Sequence, residues 1–252
     1  FNSIKNHNGT ILKNRGDGVI AQFNSPNDSV SMAVHVQRQF QKRNTLNVQS
    51  RNLNVRIGIH YGEYLQEEDD IHGDCINIAS KLEPKAPSGG IIISKDLCAQ
   101  IIDNSNIYIR EYKQIVLNDE NEMTYEVYLD LIDWYKNKKN KYSVISNKSN
   151  LLDKAHSFYS KGDYSTALKF SVLASEKNSD INLPEVHSFI INHLVALGEF
   201  KIAENLLNNI NVNEIINDDL KAQILKLHGH LLFNREKWSL AKTKYQESYQ
   251  LF

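Results

Sequence analysis

Residues 70–81 read DIHGDCINIASK, a loop that leads into a predicted helix. Asn77 and Lys81 stand four positions apart, so an amide and a cation share one face of that helix. Gly73 precedes the helix and allows another backbone to approach closely. Asp70 adds a carboxylate at the loop end of the stretch. The spacing alone also fits an exposed polar helix face, so its meaning depends on the rest of the chain.

Residues 13–18 read KNRGDG and lie between two short apolar segments. Glycines between apolar segments are typical of a β-hairpin, whose tip would fall at residues 16–18. Asp17 would then project from a tight turn, where a carboxylate can bind a metal ion. The alternative is a turn carboxylate that caps backbone amides. Lys13 adds a cation, and the two stretches together offer the groups that a nucleotide site requires.

Strand and helix patterns alternate through residues 1–130. Residues 53–59 alternate between apolar and polar, as expected of a half-buried strand. Ser94 is placed to cap a short helix after three consecutive isoleucines. The other predicted elements are a helix after Pro26 with Ala33, Val36 and Phe40 at helical spacing, and strands near residues 107–116 and 123–129. This order predicts an α/β sandwich with helices packed on a sheet.

The composition argues against several classes of protein. The chain has 252 residues and a formal charge of −1, so no global basic field indicates a nucleic-acid partner. It contains no apolar run of about 18 residues, the length that a membrane span needs. Cys75 and Cys98 are its two cysteines, which is typical of reduced thiols in an intracellular protein, and the alternative is a disulfide between them. We therefore expect a cytoplasmic location, with neither a membrane span nor a nucleic-acid partner.

The sequence changes character after residue 130. Residues 131–150 are basic and rich in Ser and Asn, which predicts a linker. Residues 151–252 have a helical pattern in which small residues and a turn aromatic recur in three units. The recurring positions include Ala155, Gly162, Tyr164 and Ala167, then Gly198, Phe200 and Ala203, then Gly229, Trp238 and Ala241. This pattern resembles tetratricopeptide repeats, which bind peptides or partner proteins, and the alternative is an ordinary helical bundle.

Four motifs in the first part of the chain resemble one known family. Residues 13–23, 55–62, 73–83 and 89–94 follow one another in the order and spacing of the class III adenylate/guanylate cyclase catalytic domain. The resemblance implies an α/β ferredoxin-like (palm-type) fold, followed by an all-α helical repeat domain. The predicted domains are the cyclase domain at residues 1–130, the linker at 131–150 and the repeats at 151–252.

The resemblance also implies a role for each candidate residue. Asp17 corresponds to the second of two metal-binding aspartates, and Asn77 to the amide that orients the ribose. Lys13 and Asp70 correspond to the pair that reads the purine, and their hydrogen-bonding types fit adenine rather than guanine. Lys81 stands where the family has an arginine that stabilises charge in the transition state. For Asp70 a simpler interpretation is a solvated acidic loop.

The reaction implied by the resemblance is the conversion of ATP to cyclic AMP and pyrophosphate. Two metal ions, Mg²⁺ or Mn²⁺, would assist at each site. The family's catalytic site forms between two domains, so we expect a homodimer. In it, Asp17 and the set Lys13, Asp70, Asn77 and Lys81 of one chain would serve different sites. A protein or peptide is the expected partner of the repeats.

Departures from the family pattern leave a second hypothesis open. The family's first metal-binding aspartate would precede Phe1, so we expect this chain alone to be inactive. Lys81 keeps the charge of the family's arginine but not its planar fork. The family's late phosphate-binding lysine would fall near Leu117, and Lys113 is offset from that position. The alternative is a degenerate module that binds a nucleotide or a partner without turnover.

A third interpretation, a diguanylate-cyclase-like enzyme, fits less well because the hairpin reads RGDG.

Overall fold

The computed structural model describes residues 2–14, 16, 18–46, 52–67, 70–101, 107–137, 151–177 and 183–251. The chain divides into two compact units, Phe1–Ser146 and Asn147–Phe252. Within the described ranges, no helix combines the length and the apolar character that crossing a membrane requires.

The first unit combines short helices with small sheets. Its helices are α1 (Asn2–Asn6), α2 (Pro26–Thr45), α3 (Asp74–Leu82), α4 (Lys95–Gln100) and α5 (Leu131–Lys136). Its strands are β1 (Gly9–Asn14), β2 (Val19–Phe23), β3 (Ile57–Ile59), β4 (Leu65–Glu67), β5 (Asp70–His72), β6 (Ile91–Ile93), β7 (Tyr108–Leu117) and β8 (Glu120–Tyr128). A four-stranded sheet has the order β3-β6-β8-β7, while β1 pairs with β2 and β4 with β5.

The four-stranded sheet is mixed and carries apolar side chains on both faces. Strand β3 runs parallel to β6, whereas β8 is antiparallel to both β6 and β7. Ile91 and Ile93 of β6 join a buried cluster with Val30 of α2. Ile92 points to the other face and joins a cluster with Leu82 of α3. Helices and a mixed sheet therefore form the α/β arrangement that the sequence predicts.

Helix α2 begins where the sequence predicts it, and a glutamine is among its most buried residues. Ala33 is buried, as expected, whereas Val36 and Phe40 are half-buried. Gln37 is 1% exposed, and its side-chain amide donates a hydrogen bond to the Val55 carbonyl oxygen at 2.8 Å. A glutamine that pairs with a neighbouring backbone can be buried. An apolar pattern cannot reveal a buried glutamine, so the sequence did not predict this position.

Helix α1, the β4–β5 hairpin and helix α5 have no counterpart in the sequence prediction. Helix α5 folds within the stretch that was expected to be a linker, and Trp134 within it is fully buried. The Trp134 indole N–H donates to the Ile109 carbonyl at 3.0 Å, and the Arg110 guanidinium lies 4.5 Å above its ring. Residues 138–150 of the expected linker lie outside the described residues.

Every regular element among the described residues of the second unit is a helix. Its helices are α6 (Leu151–Ser160), α7 (Tyr164–Lys177), α8 (Leu183–Ala196), α9 (Phe200–Leu207), α10 (Asp218–Asn234) and α11 (Trp238–Tyr249). Consecutive helices pack against each other from α6 to α11. Gly229 of α10 faces Tyr245 of α11, and a Cβ at this position would lie 2.6 Å from the tyrosine ring. A small residue is therefore required where these two helices meet.

Three turns in the second unit share one geometry. The residues at the shared position have positive φ: Gly162 at 79°, Gly198 at 79° and Glu236 at 59°. In each turn the following N–H donates to a carbonyl five residues back. The pairs are Asp163 to Phe158 at 3.0 Å, Glu199 to Leu194 at 2.8 Å and Lys237 to Leu232 at 3.0 Å. Such a bond closes a helix C-terminus in the Schellman manner.

Candidate functional site

Two glycines hold α3 against neighbouring backbone. A Cβ on Gly58 of β3 would lie 2.4 Å from the Glu83 backbone nitrogen and 2.7 Å from the Ala79 carbonyl oxygen. Gly73 has a φ of 148°, and a Cβ there would lie 3.1 Å from the Tyr64 Cα. Close backbone approaches of this kind require glycine. The helix is therefore fixed near both of its ends, which gives its exposed face a defined position.

Asn77 and Lys81 occupy that exposed face of α3, one turn apart, as the spacing predicts. Ile78 and Leu82, the residues that follow them, are buried against the sheet. The Lys81 ammonium donates a hydrogen bond to the Asn118 side-chain oxygen at 3.3 Å. The structure thus brings an amide and a cation together on the surface of the first unit, where a ligand can reach both.

Lys13 lies in β1, where the pairing with β2 shifts register after Ile11. It is half-buried. In the partner strand, the Gln22 side-chain oxygen accepts a hydrogen bond from the Tyr64 hydroxyl. Because Gly73 also approaches Tyr64, one tyrosine joins the β1–β2 hairpin to the segment that opens α3. The two stretches that the sequence singled out are therefore connected through Tyr64.

The two aspartates of the predicted site are described to different extents. Asp70 is the first residue of β5 and is in register with Glu67 of β4, so the expected acidic loop is in fact a hairpin at this point. Its backbone leads directly into Gly73 and α3. Asp17 lies outside the described residues.

The position expected for a late phosphate-binding lysine is part of the core. Leu117 is 1% exposed and belongs to the cluster that contains Ile78 and Leu82. Lys113 lies earlier on β7, where the pairing with β8 is irregular, and its ammonium is 4.6 Å from the centre of the Tyr112 ring. Leu117 therefore offers no polar group to a ligand.

His60 follows β3 and joins it to the start of α4. Its Nδ1 lies 2.8 Å from the Ser94 hydroxyl oxygen, which also accepts a hydrogen bond from the Leu97 N–H at 3.2 Å. Burial lowers the pKa of His60, although the Asp96 and Glu122 carboxylates act in the opposite direction. The imidazole is therefore a structural link between two elements.

Asn118 is the residue at this site that the sequence analysis missed. It lies in the two-residue turn between β7 and β8, with Asp119 as its partner. An Asn-Asp pair between two strands is a turn signal, but the signal does not show that the turn meets α3. That contact depends on the sheet order, which the sequence left open.

The described residues contain no group of three or more His, Cys, Asp or Glu side chains that could hold a metal ion. Asp17, which lies outside them, is the carboxylate that the sequence offers for this purpose.

A helix fixed against a mixed sheet and carrying an exposed amide and cation defines an α/β domain with a candidate polar site. Residues 4–129 match the family described as Adenylate and Guanylate cyclase catalytic domain. The chain belongs to this family, and its first unit has the palm-type cyclase fold.

Similar sequences include a putative adenylate cyclase 3 of Rhizobium meliloti (strain 1021), 33% identical over 88 residues, covering 35% of this chain and 15% of that protein. The adenylate cyclase of Podospora anserina is 29% identical over 133 residues, covering 39% of this chain and 6% of that protein. The serine/threonine-protein kinase pkn2 of Myxococcus xanthus is 27% identical over 92 residues, covering 36% of this chain and 11% of that protein. The matches thus span a small part of each relative.

Similar solved structures include an adenylate/guanylate cyclase/hydrolase from Silicibacter pomeroyi. It is 24% identical with a TM-score of 0.47, and the match covers 50% of this chain and 76% of that one. The adenylyl cyclase CyaB from P. aeruginosa is 22% identical with a TM-score of 0.40, and the match covers 50% of this chain and 75% of that one.

Proposed function

We propose that the first unit is an adenylate cyclase catalytic domain that converts ATP to cyclic AMP and pyrophosphate. The observation that carries this proposal is the exposed face of α3, where Asn77 and Lys81 stand one turn apart on a helix fixed at both ends. The family supplies the reaction class, cyclisation of a nucleoside triphosphate. Two of the similar sequences are named as adenylate cyclases, which favours ATP as the substrate.

Lys13 and Asp70 are the proposed readers of the purine. An ammonium donates to the adenine ring nitrogen N1, and a carboxylate accepts from the N6 amine. Guanine presents the opposite pattern at these atoms, so it would leave both side chains without a partner. Lys13 is in the hairpin that Tyr64 joins to the segment before α3, and Asp70 precedes that helix.

Asn77 and Lys81 act on the sugar and the phosphates in this proposal. The ribose 3′-oxygen bonds to the α-phosphorus while the bond to the oxygen that bridges to the β-phosphate breaks. Pyrophosphate leaves, and the proton of the 3′-hydroxyl passes to solvent. Asn77 orients the ribose by hydrogen bonding, and the Lys81 ammonium stabilises the negative charge that develops on the phosphates.

The proposed cofactor is Mg²⁺ or Mn²⁺, two ions at each site. Asp17 would provide a carboxylate ligand, together with phosphate oxygens of the nucleotide. When bound, such ions neutralise phosphate charge and lower the pKa of the attacking hydroxyl. Removal of divalent ions with a chelator should therefore abolish turnover, and added Mn²⁺ should restore it.

The proposed active form is a homodimer through the cyclase domain. Asp17 of one chain would then act at the site whose Lys13, Asp70, Asn77 and Lys81 come from the other chain. Each dimer would contain two such composite sites.

A second candidate function is a degenerate cyclase-like module that binds a nucleotide without turnover. Two observations favour it: the position expected for a phosphate-binding lysine is the buried Leu117, and Lys81 replaces the family's arginine. The module would bind ATP with measurable affinity yet form no cyclic product.

The proposed function is tested by measuring cyclic AMP formed from ATP and Mn²⁺ by the full-length protein and two lysine variants. Lys81→Ala should lower kcat about 100-fold, the effect of removing one donor to transition-state charge. Lys85→Ala removes an exposed cation one turn further on and should leave kcat within about twofold. Equal effects of the two substitutions would contradict the role of Lys81. ATP binding with no product in the parent protein would favour the degenerate module.

For the second unit we propose tetratricopeptide-like repeats that bind a protein or peptide. The three equivalent turns support it, as do the buried alanines that follow each of them by five positions. These alanines are Ala167, Ala203 and Ala241.

A further inference from the structure

The tip of the β7–β8 hairpin touches the candidate site. Leu117, the last residue of β7, is 1% exposed and shares a buried cluster with Ile78 and Leu82 of α3. Because Leu117 is fixed against the inner side of the helix, the next residue, Asn118, stands at the edge of the helix. Its side-chain oxygen accepts the hydrogen bond from the Lys81 ammonium at 3.3 Å.

The turn fixes the backbone of Asn118. Asn118 and Asp119 have φ of 48° and 66°, and Leu117 and Glu120 pair across the hairpin on either side of them. Two consecutive positive φ values define the type I′ turn that closes tight hairpins, and Asn is favoured at its first position. The direction of the Asn118 side chain therefore follows from the hairpin itself.

The contact orients Lys81 without cancelling its charge. Asn118 is a neutral acceptor, and among the described residues Lys81 forms no ion pair with a carboxylate. An ammonium has three donors, so two remain for phosphate oxygens after one is used by Asn118. A lysine side chain left without this contact would sample many rotamers.

We propose that Asn118 is a positioning residue that holds the Lys81 ammonium at the phosphate end of the exposed α3 face. The inference rests on the proposed function of Lys81. Asn118 itself need not touch the nucleotide. Its hydrogen bond helps to fix the position of the Lys81 ammonium, whereas the planar fork of an arginine at position 81 would itself favour a fixed geometry.

The first test compares three variants of the full-length protein in the cyclic AMP assay. Asn118→Gly keeps the positive φ but removes the acceptor, and kcat should fall about fivefold with little change in KM. Asn118→Asp keeps the shape and the acceptor but adds a negative charge beside Lys81, so kcat should fall about tenfold or more. Asp119→Gly, the control in the same turn, should leave kcat within about twofold. Full kcat in Asn118→Asp would overturn the proposal, because a merely structural asparagine tolerates that change.

The second test asks whether Asn118 acts through Lys81. In a Lys81→Ala background, Asn118→Gly should cause no further loss of kcat. The same fold-loss in both backgrounds would overturn the proposal.

A third measurement does not depend on activity. The ¹³Cε resonance of Lys81 should shift in Asn118→Gly and stay in place in Asp119→Gly. If the parent protein forms no cyclic nucleotide, the proposed function fails, and this resonance still tests the contact. A resonance that Asn118→Gly leaves unmoved would overturn the positioning role whatever the activity.

Discussion

At the scale of single residues, buried neighbours determine what the exposed side chains can do. Asn77 and Lys81 each precede a buried residue of α3, Ile78 and Leu82, so the helix cannot rotate without exposing apolar surface. Because Gly58 has no side chain, the C-terminal end of α3 packs directly against β3, and this contact also restricts movement of the helix. The candidate site is thus positioned by residues that do not themselves bind.

His193 gives a prediction at the residue scale that concerns stability. Its ring is fully buried in α8, where Nδ1 is hydrogen-bonded to the Phe189 carbonyl and Nε2 has no hydrogen-bond partner among the described residues. Burial lowers the pKa of His193, although the hydrogen bond to Phe189 acts in the opposite direction, so the folded protein binds this proton less readily than the unfolded chain. The unfolded chain protonates it near pH 6.5. Unfolding therefore takes up a proton below that pH, and the second unit should lose stability as the pH falls.

The measurement is the free energy of unfolding of the second unit by urea between pH 5 and pH 7, in parent and His193→Asn. The parent should lose up to about 1.4 kcal/mol for each pH unit below 6.5 through this residue. His193→Asn keeps a donor for the Phe189 carbonyl and should reduce that slope, with lower stability at pH 7 from lost packing. An unchanged slope would show that His193 is not the group responsible.

At the scale of elements, the sequence predicted those with strong local signals. Helix α3 and the β1–β2 hairpin were predicted because glycine positions and apolar spacing agree there. The burial of Gln37 in α2 was not predicted because it depends on a hydrogen bond that joins distant segments. Helix α5 was not predicted because its six residues are held in place by the contact between Trp134 and Arg110. Local helix propensity alone would not form this helix. The contact between Asn118 and Lys81 could not be predicted because it depends on the order of the strands in the sheet.

The repeated turns give a prediction at this scale. Glu236 stands at the position that glycine fills in the two equivalent turns, with a positive φ of 59°. A side chain at positive φ costs about 1 kcal/mol. Glu236→Gly should therefore stabilise the second unit by about 0.5–1 kcal/mol in chemical denaturation. Glu236→Ala keeps the Cβ and is the control. Equal stability changes in the two variants would contradict the equivalence of the three turns.

At the scale of the whole molecule, the proposed homodimer predicts that one chain supplies residues to two different sites. If the proposed dimer is correct, Asp17→Ala and Asn77→Ala variants damage different halves of each composite site. Each variant alone should be inactive. After subunit exchange in an equal mixture, half of the dimers combine both variants and keep one intact site. Activity should then return to about a quarter of the parent level, measured as cyclic AMP formed. No recovery despite confirmed exchange would contradict composite sites.

The most direct test of the proposed activity is the identity of the product formed from ATP or GTP. The full-length protein should be incubated with each nucleotide and Mn²⁺, and the products separated and identified by mass spectrometry. The proposal predicts 3′,5′-cyclic AMP and pyrophosphate in equal amounts from ATP. It also predicts turnover of GTP at least about tenfold slower, because guanine leaves Lys13 and Asp70 without partners. No cyclic nucleotide from either substrate, or faster formation of cyclic GMP, would contradict it.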